Sequence, residues 1–250
     1  MNDFAKTEKT MSAEKLKKTE KIPKAEKFTE YESNSANIVA ERLELLQEYS
    51  TFLIPYNDRK NLSSAEKVCI GNYQDVHFWN NQKNDWSFPI PESWKKKTWC
   101  YAINSCCRDF SFYDSMTKEE KELIDFHFQN LDSAIQKSKA DRDYWLYRGV
   151  NNIDWIKNPC AGTIYLDEAY GSFSLDFQKA LSYTTSKEPI LFRLNLKKKM
   201  EALYVDQAEA EILRSRRIWY KIKSITKETL EDRKHINTKI DVYTIEELRK

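Results

Sequence analysis

Tyr144-Trp145-Leu146-Tyr147-Arg148-Gly149 marks the place where this chain changes its apolar period. Ahead of it, Ile124, Phe128, Leu131 and Ile135 recur at the spacing of one helix face. Beyond it the pattern alternates: Ile190, Phe192, Leu194 and Leu196 fall on one side, Arg193 and Asn195 on the other. A period of two sends successive side chains to opposite faces of a strand. Residues 212–225 and 239–245 add strand signal, and one helix interrupts them, starting near Ser174 and carrying Phe177, Ala180, Leu181 and Thr184. The expected fold is α+β, with a helical lobe at 36–140 leading into a β-rich core at 141–250.

Working back from that junction, Thr117-Lys118-Glu119-Glu120 and Ser63-Ser64-Ala65-Glu66 both read as capping boxes. Ile38, Leu43, Leu45, Leu46 and Tyr49 suggest another amphipathic helix, and Trp79, Trp86, Trp94 and Trp99 suit the core of a helical lobe. Residues 1–35 are rich in Lys, Glu and Thr and too poor in apolar side chains to bury, so a flexible charged arm is expected there. No Pro/Gly/Ser-rich spacer lies near residue 140, which makes 36–250 one domain.

Composition narrows the function. The 41 basic and 39 acidic residues nearly cancel, which argues against a nucleic-acid partner. Five cysteines without C-x-x-C spacing and three scattered histidines offer no metal site and point to free thiols in a reducing compartment. No apolar run is long enough for a membrane span, and the first residues lack a signal-peptide core, so a soluble protein acting in a cytosol is expected. Glycine is scarce, and Gly149, Gly162 and Gly171, three of the four, cluster around the junction. They mark unusual backbone angles or close approaches, simple turn chemistry being the reading for Gly162.

Three segments carry chemistry. Arg148 ends an apolar strand, where its fork suits phosphate or ribose hydroxyls, or equally a salt bridge to a neighbouring carboxylate. Ser172 and Ser174 share one face of Gly171-Ser172-Phe173-Ser174; Ser174 reads as the cap of the following helix, leaving Ser172 to bond a carboxylate. Glu209 and Glu211, two apart at the entry of a strand, project together if the backbone is extended, either as a coupled acidic pair or as a solvated one.

In this order, Tyr147-Arg148-Gly149, Gly171-Ser172-Phe173-Ser174 and Glu209-Ala210-Glu211-Ile212-Leu213 resemble the arginine–serine–glutamate signature of the mono-ADP-ribosyltransferase exoenzyme family. Weaker similarity reaches back through Leu131-Asp132-Ser133-Ala134-Ile135 to Leu62-Ser63-Ser64-Ala65-Glu66 with Tyr73 and Asn80-Asn81, and the whole spans about residues 60–245. The resemblance implies two mostly antiparallel sheets meeting at an NAD+ cleft, no metal, and transfer of ADP-ribose to a target protein. It implies that Glu211 stabilises the ribosyl cation, Ser172 orients Glu211, and Arg148 holds the phosphates. Tyr147, Gly149 and Ser174 would complete the NAD+ site. Glu209 would prepare the nucleophile, an arginine side chain. A toxin or effector delivered to a host cytosol by a non-Sec route fits this role. An NAD+ glycohydrolase and an inactive binding module are the alternatives. The sequence departs from the family at Phe173, at the Arg214-Ser215-Arg216-Arg217 turn, and in a short recognition loop placed at Tyr204–Ala208.

Overall fold

The computed structural model describes residues 61–74, 98–206, 210–230 and 238–248, all within one compact unit, Tyr31–Lys250. The charged arm, the helix expected around Ile38–Tyr49, and Trp79, Trp86 and Trp94 lie outside the described residues.

Among the described residues, four helices belong to the first lobe: α1 (Ser64–Gln74), α2 (Trp99–Arg108), α3 (Phe110–Asp114) and α4 (Lys118–Lys137). Both expected capping boxes are made. Thr117 and Glu120 exchange bonds at the start of α4, and Ser63 and Glu66 do so at α1. Glu66 does more than cap. Its buried carboxylate also accepts from Ser133 Oγ at 2.5 Å and Lys137 Nζ at 2.6 Å, tying α1 to α4.

Burial works to raise the Glu66 pKa, but bonds from Lys137, Ser133 and Ser63 outweigh it and hold the value below the ordinary carboxylate range. Glu66→Ala is therefore expected to cost about 2 kcal/mol in denaturant unfolding near neutral pH. A depressed folded value means this stability is present above the unfolded pKa and lost as pH falls through the folded one. The gap between wild type and variant should accordingly begin to narrow once pH falls below the unfolded carboxylate value, about 4.3.

The second lobe contains β1 (Tyr144–Val150), β2 (Ile164–Asp167), β3 (Gly171–Ser174), α5 (Phe177–Ser182), β4 (Ile190–Leu196), β5 (Leu203–Asp206), β6 (Glu211–Arg214), β7 (Ile218–Leu230) and β8 (Thr238–Glu247). Where two sheets were expected, the strands form one hydrogen-bonded sheet of eight, ordered β2-β7-β8-β4-β1-β3-β6-β5. Among the described strands, only β4 and β8 run parallel.

A seam nevertheless exists. β1 and β4 share seven register pairs, whereas β1 and β3 share one, Tyr147 with Ser174. On either side of that seam the sheet folds around a single apolar cluster. Leu146, Phe192 and Tyr243 come from one half, Phe173, Tyr204 and Ile212 from the other. The opposite face of the smaller half, through Leu203, Val205 and Leu213, packs against the helical lobe in a second cluster with Ile70, Ile103 and Leu131. The chain thus makes two cores from one sheet, one on each face of the smaller half.

Two segments differ from expectation. Leu203–Asp206, in which the recognition loop was expected to begin, is a strand paired with β6. Its Leu-Tyr-Val run buries on both faces, which favours a strand over a loop. The helix cap is Asp176, whose carboxylate takes the amides of Gln178 and Lys179. Ser174 instead accepts the Asp176 amide at 3.0 Å.

Candidate functional site

The register of the short strands decides which side chains meet. Ser174 pairs with Glu211 across β3 and β6, and Ser172 with Leu213, so both serines share a face with Glu211. Ser172 and Glu211 are diagonal neighbours, a separation side chains can bridge. Ser172 Oγ donates to Glu211 Oε1. Phe173, between the serines, is buried in the sheet's inner core.

Behind this pair stands the helical lobe. Tyr73 of α1 lies edge-on to Tyr170 at 5.9 Å, and Asn104 of α2 donates to the Tyr73 hydroxyl while accepting the Tyr170 amide. That clasp fixes the entry of β3. Burial pushes the Tyr73 phenol and the Cys100 thiol upward, and the negative charge of Glu211 adds to both shifts.

Arg148 comes from the other face of β1, since Tyr147 is the residue registered with Ser174. Its guanidinium packs over the Phe173 ring at 5.9 Å and donates to Asp167 Oδ2 at 2.5 Å. Of the two sequence readings for this arginine, the salt bridge is present, and its partner was not anticipated. Burial opposes the guanidinium's charge, but Asp167 more than offsets it and raises the pKa. Because β1 and β3 part after a single pair, Arg148 also borders the gap between them.

That gap is a cavity of about 220 Å³ bordered by Arg148, Gly149, Ser172, Ser174, Tyr183 and Glu211, with Tyr147 and Ala180 beside them. Six of the seven expected site residues therefore converge on one wall. The seventh, Glu209, lies outside the described residues. Ala210, the residue before Glu211, has φ +48°, which is left-handed rather than the extended backbone expected there. Glu211 is the first residue of β6, at the entry of a strand.

Ala180 and Tyr183, from α5 and its C-terminal end, are cavity residues that the sequence reading passed over. Gly149 explains their placement. A side chain there would meet Ala180 O at 2.3 Å, so the glycine permits close approach of α5 rather than of a ligand. Gly162 has φ +94° with open space around it, as turn chemistry requires. On the far side of Arg148 lies a larger cavity of about 760 Å³ that includes Asp167, Trp155 and Trp219. Among the described residues, no group of His, Cys, Asp and Glu is arranged to hold a metal ion, and no helix is long and apolar enough to cross a membrane.

Residues 100–245 match the model of the ADP-ribosyltransferase exoenzyme family. No curated protein sequence matches the chain. Among solved structures, the fold is similar to Plx2a, an ADP-ribosyltransferase toxin from Paenibacillus larvae, with TM-score 0.52 and 17% identity over 86% of this chain and 97% of that one. C3stau2 from S. aureus, solved with NAD, gives TM-score 0.53 and 21% identity over 83% and 96%. The ADP-ribosyltransferase Vis from Vibrio splendidus gives 0.57 and 13% over 88% and 89%. Another Vis structure holds agmatine. At such identities the likeness is one of fold.

Proposed function

Because the chain belongs to the ADP-ribosyltransferase exoenzyme family, we propose that it transfers the ADP-ribose of NAD+ to an arginine side chain of a target protein, releasing nicotinamide. One observation carries this reading: Ser172 donates to the Glu211 carboxylate on the wall of a cavity that Arg148 also borders. NAD in the C3stau2 structure and agmatine, a guanidine, in a Vis structure fit the same chemistry.

The bond between nicotinamide nitrogen and ribose C1′ breaks with its electron pair leaving on nitrogen, and positive charge grows on the ribose as in glycoside hydrolysis. A carboxylate held by a hydroxyl at that position stabilises the cation without reorganising. Glu211 has that role. Ser172 keeps its carboxylate aimed, and Arg148 supplies the cation for the pyrophosphate. The acceptor nitrogen then bonds C1′ and gives up a proton. Guanidinium pKa values above 12 make a nearby base necessary, which is the role assigned to Glu209. A toxin-like effector working on a host protein is the setting this activity suits.

Incubation of the protein with NAD+ labelled in its adenylate and a eukaryotic lysate tests the reading. Label on a protein band, placed on an arginine by mass spectrometry of the modified peptide, is the supporting result. Free ADP-ribose alone would make the enzyme a glycohydrolase, and unchanged NAD+ an inactive relative.

Asp167 gives a second handle on Arg148. Asp167→Ala is expected to raise KM for NAD+ about ten-fold with little change in kcat, because an unheld guanidinium loses its aim. Asp167→Asn keeps an acceptor oxygen and should stay within about threefold of wild type. Equal loss of kcat in both variants would show that the pair serves stability instead.

A further inference from the structure

The 760 Å³ cavity beyond Arg148 does not end there. It shares Arg108 and Glu168 with a third cavity of about 610 Å³, which runs along α3, α4 and the turn after β6. Four of the seven large apolar side chains exposed among the described residues border these two cavities. Phe110 is 73% exposed, Ile164 54%, Trp155 48% and Trp219 43%. Such concentration is unusual for a solvated surface and typical of a protein-binding one, where Trp, Phe and Arg dominate.

Several of these groups are held in place rather than loosely displayed. Trp155 is braced edge-on by Tyr165 at 5.3 Å and by Phe192 at 6.0 Å. Arg216 lies over the Phe128 ring at 4.2 Å, and Asp132 grips its Nε and terminal nitrogen. Asp132 also accepts the Tyr170 hydroxyl, which connects this turn to the entry of β3.

Charge tells what the surface prefers. Arg216 is neutralised by Asp132 and Arg148 by Asp167, while Asp125 is bonded to the Tyr113 hydroxyl. Arg108, Lys157 and Arg217 are exposed and, among the described residues, their side chains make no ion pair or hydrogen bond; against these three cations stand the acids Glu168 and Asp125, neither paired with a cation. The excess is cationic, and it is mixed with aromatic rims instead of forming an unbroken basic stripe.

We propose that the two cavities flanking Arg108 and Glu168 form a docking surface for a segment of the acceptor protein that carries acidic residues beside an aromatic anchor. This rests on the transferase reading above, and Arg148, which borders both the candidate site and the first of these cavities, gives the continuity. An aromatic anchor would enter between Trp155 and Trp219, and the partner's carboxylates would meet Arg108, Lys157 and Arg217. Glu168 in the middle repels a uniform polyanion such as nucleic acid.

The test uses the whole protein and calorimetric titration with a random glutamate–tyrosine copolymer, with polyglutamate and oligo(dT) as comparisons. The copolymer should bind most tightly, and binding should weaken with salt. The double change Arg108→Glu, Arg217→Glu and, separately, Phe110→Ala with Trp219→Ala should each weaken it by about ten-fold or more. The same variants should lose protein labelling in lysate to a similar degree while hydrolysing NAD+ at the wild-type rate in its absence. Unchanged copolymer binding, unchanged labelling, or equal binding of oligo(dT) would overturn the surface. Absence of any NAD+ turnover by wild type would instead overturn the transferase reading, and copolymer binding would still decide the surface.

Discussion

Glu211→Gln is expected to lower both protein labelling and nicotinamide release by about a hundredfold to a thousandfold, the range seen when one charge-stabilising group is removed from a polar transition state. The change is nearly isosteric. The amide oxygen still accepts from Ser172 Oγ, so the β3–β6 pairing and the cavity wall should survive, and the melting temperature should move little. What disappears is the negative charge, needed only as the ribose becomes cationic. The loss should therefore fall on kcat, with KM for NAD+ nearly unchanged. Glu209→Gln separates the two acids: it should spare hydrolysis and impair transfer, because water attacks through a free lone pair before losing its proton, whereas a guanidinium becomes nucleophilic only once deprotonated. Retained labelling by the Glu211 variant would mean that the cation is stabilised elsewhere and that the assignment is wrong.

How much of this was legible beforehand depended on whether a signal was local. The strands β1, β4 and β6 and helix α4 announce themselves by period and caps, and the serine face of β3 follows from alternation alone. β2 did not. Ile164-Tyr165-Leu166-Asp167 is four residues long, and it is a strand because β7 pairs with it, not because of its own pattern. Asp167 was missed with it, and so was the partner of Arg148. A carboxylate closing a short apolar run is the signal that was available. The left-handed Ala210 carries no sequence mark either, since glycine would be the ordinary choice there. The single-sheet connectivity rests on the one pair Tyr147–Ser174 and on parallel β4–β8 pairing, both contacts between segments far apart in the chain. Short-range patterning does not encode either of them.

The second large effect belongs to Gly149, and it acts on stability and activity together. Glycine here is not answering a backbone angle. A Cβ built at this position would sit 2.3 Å from Ala180 O and 2.8 Å from Thr184 Cγ2. The first of these is main chain, so no rotamer change relieves it. Either α5 moves away from β1 or β1 bends. Gly149→Ala is therefore expected to cost about 2 kcal/mol, in the range of overpacked cores, and to lower the melting temperature by roughly 5 °C for a protein of this size. Ala180 and Tyr183 ride on the displaced segment and border the same cavity as Ser172 and Glu211. KM for NAD+ should rise with the loss of stability, at temperatures where the variant is still fully folded. Gly162→Ala provides the contrast. It meets nothing within 4 Å but stands at φ +94°, so it should cost about 1 kcal/mol from backbone strain and leave KM alone. Thermal melts and initial rates on the two variants would separate a packing glycine at the cavity from a turn glycine remote from it. Equal KM values in both would show that α5 does not shape the NAD+ site.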